Sequence, residues 1–488
     1  MLLRLLTLGT VGLLLISQAQ PVWASSSSLI AQADESAVPE ETQDSAIDDD
    51  AKSDSVAPDS VAPDSATPNP ESQQPLDEVD QLILDGLRQY ESLNLPEART
   101  TLEQALAAAR TNENLPQESF ALTMLGVITI NQGEYETATD YSQQAITALE
   151  TVNDPESAVV ALNVLGRSAQ LQGNLPDAIN YSQNALQLAE NIEFDTGKLD
   201  ALHVLATTYA AIGQYPLAFN AAQLAIPLAQ SEQNGRILLS SLNVASSSLL
   251  DLEEYETALA VAQDALTVAT ELESDRGRAL ALSNQGVAYY RLSNLEKAIE
   301  LENEALKVAQ DAGVLDVQFT ALYVLALAHY DQEDVDTAID FYQRRLTLSR
   351  ESESVGAELQ SLLWLGSAYL DSGRYTDAIA SFDELSTLSE TRKQPAFQRW
   401  SQSGLGFANV QLQDYPTAQS HFEQALDIAK SINDRVGEFE SLNLLAQVHQ
   451  AQNNAEQAEE YATQAAAIQA EVQAEVDAQA ESSTANEE

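Results

Sequence analysis

A small residue returns every 40 positions along most of this chain, at Gly86, Gly126, Gly166, Ala206, Ser246, Gly286, Ala326, Gly366, Gly406 and Ala446. Twelve residues after each of them stands an alanine, from Ala98 to Ala458, without exception. Seven further on alanine returns in eight of the ten units, the exceptions being Arg345 and Leu385. A fixed period of this length means one supersecondary unit copied along the chain, and it overrides the count of about three domains that 488 residues would otherwise imply.

Within a unit, apolar residues recur with helical spacing on both sides of a short polar break. Leu122, Leu125 and Ile128 precede Asn131, Gln132 and Gly133; Tyr135, Ala138, Tyr141, Ala145 and Leu149 follow. Gly133, Gly173, Gly213 and Gly373 share one phase, where a helix ends and a left-handed residue is wanted. Each unit reads as helix, tight turn, helix, with small residues on the first helix facing alanines on the second so that the backbones approach closely. One hairpin cannot bury its apolar stripe alone, so ten must stack into a continuous all-α core over residues 76–468.

Leu162, Leu165, Gly166, Ala178 and Ala185 resemble the tetratricopeptide pattern, and the match runs through all ten units. The usual unit has about 34 residues; the 40-residue period here, with strings such as Ala425-Leu426-Asp427-Ile428-Ala429, is similar to the variant in kinesin light chains. The aromatic expected in the first helix is present as Tyr209, Tyr289 and Tyr369 but is Thr129 and Ala169 elsewhere. The resemblance implies a right-handed superhelical solenoid that binds peptides or helices of other proteins in a groove lined by the first helices. It places Asn163, His203, Asn243, Ser283, Tyr323, Leu363, Ser403 and Asn443 in the groove, where an asparagine has both a donor and an acceptor for a peptide backbone. That column holds no Lys or Arg, so a two-lysine clamp for a terminal carboxylate is absent.

A second candidate surface comes from charge. The chain carries 75 acidic and 22 basic side chains, a net charge of -53. Between residues 340 and 399 the acidic residues number nine and the basic ones seven. This window holds both breaks in the alanine column and contains or adjoins Trp364 and Trp400; Arg and Trp are enriched at binding hot spots. Arg344, Arg345, Arg374 and Trp400 are therefore candidate partner contacts, against the plainer account in which Trp364 is core and Arg345 extends past an apolar stem to water.

Strong acidity makes nucleic acid and anionic lipid poor partners, because both need clustered cations on the protein. There is no cysteine, which excludes disulfides, thiolate metal sites and cysteine nucleophiles. Among the four histidines, His329 and His449 share the phase of packing tyrosines, His421 precedes Phe422, and His203 falls in the groove column. None has an HExxH-type partner, and no cofactor is expected. Glu253 with Glu254, Glu351 with Glu353 and Glu459 with Glu460 fall near loops or outward faces, not in a pocket that would separate their pKa values. With no phosphate-binding glycine loop and no nucleophile beside a base, the chain reads as a non-enzymatic scaffold or assembly factor. The alternative is a structural envelope component that stacks on copies of itself.

The N-terminus has the layout of a secretory signal peptide, Arg4 then an apolar run from Leu5 to Ile16 and a small-residue cleavage site at Ala24. Export to periplasm, lumen or medium is the expectation, and the run is too short to span a bilayer. Residues 25–75 are rich in Ser, Pro, Ala and Asp, with 12 acidic residues against Lys52 alone; they are expected to be a disordered tether. Residues 469–488 are expected to be an acidic disordered tail.

Overall fold

At 20-residue intervals, except near Asn153, the backbone turns on the same geometry. Gly133, Gly173, Gly213 and Gly373 adopt φ of 76°, 76°, 71° and 74°, and Glu193, Glu253, Glu333 and Gln413 take the same left-handed conformation without being glycine. At Gly133 the turn closes with Gly133 N–H donating to Ile130 O (3.1 Å) and Glu134 N–H to Thr129 O (2.9 Å), which caps the end of the preceding helix. Asn or Asp then starts several of the next helices, as where Asp434 Oδ1 accepts from Gly437 N–H at 2.8 Å.

The computed structural model describes residues 77–485, with side chains to Glu471. The expected signal peptide and the tether lie outside the described residues. Twenty helices form ten hairpins: α1 (Glu78–Glu91) with α2 (Leu95–Thr111), α3 (Leu115–Asn131) with α4 (Tyr135–Leu149), α5 (Pro155–Leu171) with α6 (Leu175–Asn191), and α7 (Asp195–Ala211) with α8 (Tyr215–Ser231). Then come α9 (Gly235–Asp251) with α10 (Tyr255–Glu271), α11 (Asp275–Arg291) with α12 (Leu295–Ala312), and α13 (Leu315–Asp331) with α14 (Val335–Glu351). The last are α15 (Val355–Asp371) with α16 (Tyr375–Thr391), α17 (Pro395–Gln411) with α18 (Tyr415–Ser431), and α19 (Arg435–Ala451) with α20 (Ala455–Ala485).

These hairpins stack as a right-handed superhelical solenoid. The alanine column is its spine: from Ala98 to Ala418 every member is fully buried. Ala458 is only half-buried, because no further hairpin covers the last one. Where the first helix has glycine, a larger side chain from the second fills the slot, as Leu102 does at Gly86, Phe382 at Gly366 and Phe422 at Gly406. Where it has Ala206 or Ser246, the residue at that register shrinks to Ala222 or Ala262, whereas Ala326 is met by the buried Tyr342.

First helices of successive units lie against one another, and second helices make no comparable contact, so the first helices form the inner layer. Contact between successive first helices is sparse at α1–α3 and α17–α19 and sparsest between α13 and α15. The helical backbone of α20 runs to Ala485, through Ala, Gln and Glu residues of high helix propensity. This replaces the expected disordered tail from residue 469 with helix as far as Ala485.

Candidate functional site on the inner layer

The sparse junction between α13 and α15 is filled from both sides. Tyr323 on α13 and Trp364 on α15 stack at a centroid distance of 3.9 Å, and both are half-buried on the layer of first helices. Beneath them lies Arg345 from α14, at a position where eight other units have alanine. Its guanidinium is 4.7 Å from the centre of the Trp364 ring and 5.3 Å from that of Phe319. Nε donates to Phe319 O (3.3 Å), Nη1 to Ala357 O (3.0 Å) and Ser361 Oγ (2.7 Å), and Nη2 to Gln360 Oε1 (3.0 Å). Burial lowers its pKa to about 10, with Tyr323 and Tyr342 pulling the other way. Arg345 is a wedge that holds α13 and α15 apart and ties both to α14.

Two tyrosines extend the wall on either side of this stack. Tyr290 Oη on α11 donates to Asp331 Oδ2 on α13 (3.0 Å), and Tyr330 Oη on α13 donates to Asp371 Oδ2 on α15 (2.5 Å). The carboxylates recur with the repeat, Asp251, Asp331 and Asp371, and Arg291 occupies the same register between the first two. Burial raises both phenols above their ordinary value, and the adjacent carboxylates add to the rise. Asp251 is exposed as a residue, yet the protein around its carboxyl excludes enough water to raise it to about 6 against the pull of Arg291. Desolvation likewise raises Asp371, while its bond from Tyr330 opposes the rise. The inner wall over α9 to α15 is thus aromatic at its centre, with three carboxylates and one arginine in a single register.

The groove column expected from the resemblance divides. Tyr323 is on the wall. Asn163 and Asn243 are each 7% exposed, sunk between successive first helices, where Asn163 Nδ2 donates to Gly197 O at 2.9 Å. Asn163 thereby joins two units, and the Oδ1 atoms of Asn163 and Asn243 are buried without a hydrogen-bond partner. Asn443 is half-buried and spends its amide on Phe439 O of its own helix (3.0 Å). His203 is half-buried at the same register.

The arginine window is not a basic patch. Arg345 is 6% exposed and does not reach water past its stem. Arg344 lies on the outer face over the Phe341 ring, and Arg374 is the cap residue just before α16, paired with Asp377 at 2.8 Å and lying over the Tyr369 ring. Trp400 is half-buried, edge-on to Phe397, beside Arg399, whose charge is taken by Asp434 (2.9 Å) and Glu440 (3.1 Å). Within the window Arg345 and Arg399 are buried, Arg350 and Arg374 pair with acids at the surface and Arg344 is exposed, so the candidate contacts Arg344, Arg345, Arg374 and Trp400 are not in one environment. Tyr290, Tyr330, Asp331 and Asp371 were missed; their signal is a tyrosine followed 41 residues later by an aspartate, twice over.

His329 and His449 pack against Phe341 and Tyr461 rings, as their phase implies. Among the described residues no group of three metal-ligating side chains comes together, and no helix is long and apolar enough to cross a membrane.

A tetratricopeptide-repeat family matches residues 156–231, 238–311 and 397–471, and two further tetratricopeptide-repeat families match 321–355 and 351–390. The chain belongs to the tetratricopeptide-repeat proteins. A comparison with curated proteins finds no match. Among solved structures, the apo form of RapI is 14% identical, covers 73% of this chain and 99% of its own, and superposes with a TM-score of 0.54. The apo quorum sensor NprR from B. thuringiensis is 15% identical over 72% of this chain and 98% of its own, with a TM-score of 0.56. A STAND protein with a tetratricopeptide repeat sensor from Pyrococcus horikoshii is 12% identical over 67% of this chain and 52% of its own, with a TM-score of 0.52. At such identities these likenesses establish the tetratricopeptide fold alone.

Proposed function

We propose that this tetratricopeptide solenoid is an exported, non-catalytic scaffold that holds another protein through its inner wall, with the binding segment seated over α9 to α15. The observation that carries the reading is the Tyr323–Trp364 stack: two large rings left partly exposed on the inner layer, at the junction where an arginine wedge spans the first helices. Rigid aromatics offer large contact area at low entropic cost. Asp251, Asp331 and Asp371 share one register of the inner wall against Arg291 and the buried Arg345, which leaves the wall acidic, so the segment that fits carries Lys or Arg between apolar side chains. The signal-peptide layout at the N-terminus supports export.

Selection of peptides from a random library on the full chain tests this. The retained sequences are expected to be enriched in Lys and Arg interleaved with aromatic or aliphatic residues. Asp331→Lys with Asp371→Lys is expected to weaken a selected peptide at least about tenfold, or 1.4 kcal/mol. Binders without basic residues, or binders indifferent to those two replacements, would refute the assignment.

A further inference from the structure

Ten copies of one hairpin supply an internal control for every surface position. The outward seam of each second helix consists of the residue before the conserved alanine and those two, six and nine residues after it. In α10 the seam reads Thr257, Ala260, Asp264 and Thr267; in α12 it reads Lys297, Glu300, Glu304 and Lys307; in α6 it reads Asp177, Asn180, Asn184 and Gln187. In α8 it reads Leu217, Asn220, Leu224 and Pro227, all exposed, with Leu217 at 43% and Leu224 at 60%. The spacing of three, four and three is that of a helix seam that packs on another helix.

Charge says what can cover it. Among the twenty described helices α8 alone contains no Asp, Glu, Lys or Arg. From residue 76 onward the chain carries 63 acidic against 20 basic side chains, so copies of it repel one another over most approaches. A cationic partner would be drawn to the acidic remainder of the solenoid and gains nothing from this helix. A second copy meets no opposing charge only along α8, and an isologous two-fold contact brings the same patch from both chains. Leu224, the most exposed of the large apolar residues, is one residue past the midpoint of α8, where two antiparallel copies of the helix would cross.

We infer that α8 is a self-association surface: two copies pair back to back through the Leu217–Asn220–Leu224–Pro227 seam, which leaves both inner walls open. Residual repulsion between the acidic bodies opposes the pairing, so salt strengthens it, the reverse of a contact held by opposite charges.

Sedimentation of the full chain over about 1–100 µM, in about 20 mM and about 300 mM salt, tests this. The expected result is a monomer–dimer equilibrium that shifts toward dimer at the higher salt. Leu217→Glu with Leu224→Glu is expected to give monomer at every concentration with unchanged helix content, and Thr257→Glu at the matching seam position of α10 to leave the dimer intact. A wild-type chain that stays monomeric throughout overturns the inference, as does a dimer that survives the double variant or is broken equally by Thr257→Glu. Leu224→Cys gives a readout that does not depend on the double variant folding, because the chain has no other cysteine. Mild oxidation is expected to yield a covalent dimer, and failure to cross-link also overturns the inference.

Discussion

The Arg345 guanidinium joins two helices that otherwise stand apart: Nε donates to Phe319 O on α13 and Nη1 donates to Ala357 O on α15. An arginine here departs from the repeat, yet it is built into the core with its donors engaged. Arg345→Ala restores the residue that eight other units use and is nevertheless expected to destabilise, by about 2–4 kcal/mol, because it empties the wide junction and unpairs Gln360 and Ser361. Arg344→Ser and Arg374→Ser, at exposed positions, are expected to stay within about 0.5 kcal/mol of wild type. Thermal melts followed by circular dichroism separate the three. An Arg345→Ala chain that melts at or above wild type would mean that the wedge is ornamental.

Close packing at the glycine column predicts a contrast between two glycines. A Cβ at Gly406 would lie 2.3 Å from Phe422 Cε1, a ring that is itself fully buried and cannot retreat. A Cβ at Gly356, in the first turn of α15, meets nothing within 4 Å. Gly406→Ala is expected to cost about 1–3 kcal/mol by overpacking, and Gly356→Ala to be neutral or to stabilise by up to about 1 kcal/mol through helix propensity. Equal melting temperatures for the two variants would contradict the register of the hairpins.

Glu302 fills the slot over Gly286, fully buried, with Oε1 accepting from Ser283 Oγ at 3.3 Å and Oε2 without a hydrogen-bond partner. Burial raises its pKa well above the ordinary glutamate value, and the Ser283 bond only partly opposes the rise. The native chain therefore keeps a proton that the unfolded chain has released. Stability is expected to fall as pH rises from the ordinary glutamate range toward the raised value, and to level off on either side. Glu302→Gln needs no proton, so its gain over wild type should be small near pH 4 and grow toward neutrality. Melting temperatures of the two chains at pH 4 to 8 check this; a constant difference would show that Glu302 is ionised in the fold.

Much of this architecture was legible because a single unit carries it. The period, the two helices, the turns at Gly133 and Gly173 and the buried spine all follow from contacts made within one hairpin or to its immediate copy. The candidate site was less legible, because it depends on how one unit is rotated against the next. Asn163 and Tyr323 share a column, yet the first is sunk between close first helices and the second is left on the wall of a wide junction. What separates them is Arg345, a residue on a different helix whose effect is to change a spacing. Nearly neutral composition around Arg350, Arg374 and Arg399 likewise pointed to a partner site, and charge counts cannot tell a free arginine from one paired with Glu358, Asp377 or Asp434.

The central claim is that a partner segment seats on the Tyr323–Trp364 wall, and Trp364 reports on it directly. In a chain carrying Trp23→Phe and Trp400→Phe, Trp364 is the one remaining indole. Titration with a selected basic–apolar peptide is expected to change its fluorescence saturably, with the same midpoint as the anisotropy of the labelled peptide, and both signals are expected to weaken as salt screens Asp331 and Asp371. Saturable anisotropy with an unchanged Trp364 signal would place the partner elsewhere on the solenoid and contradict the account.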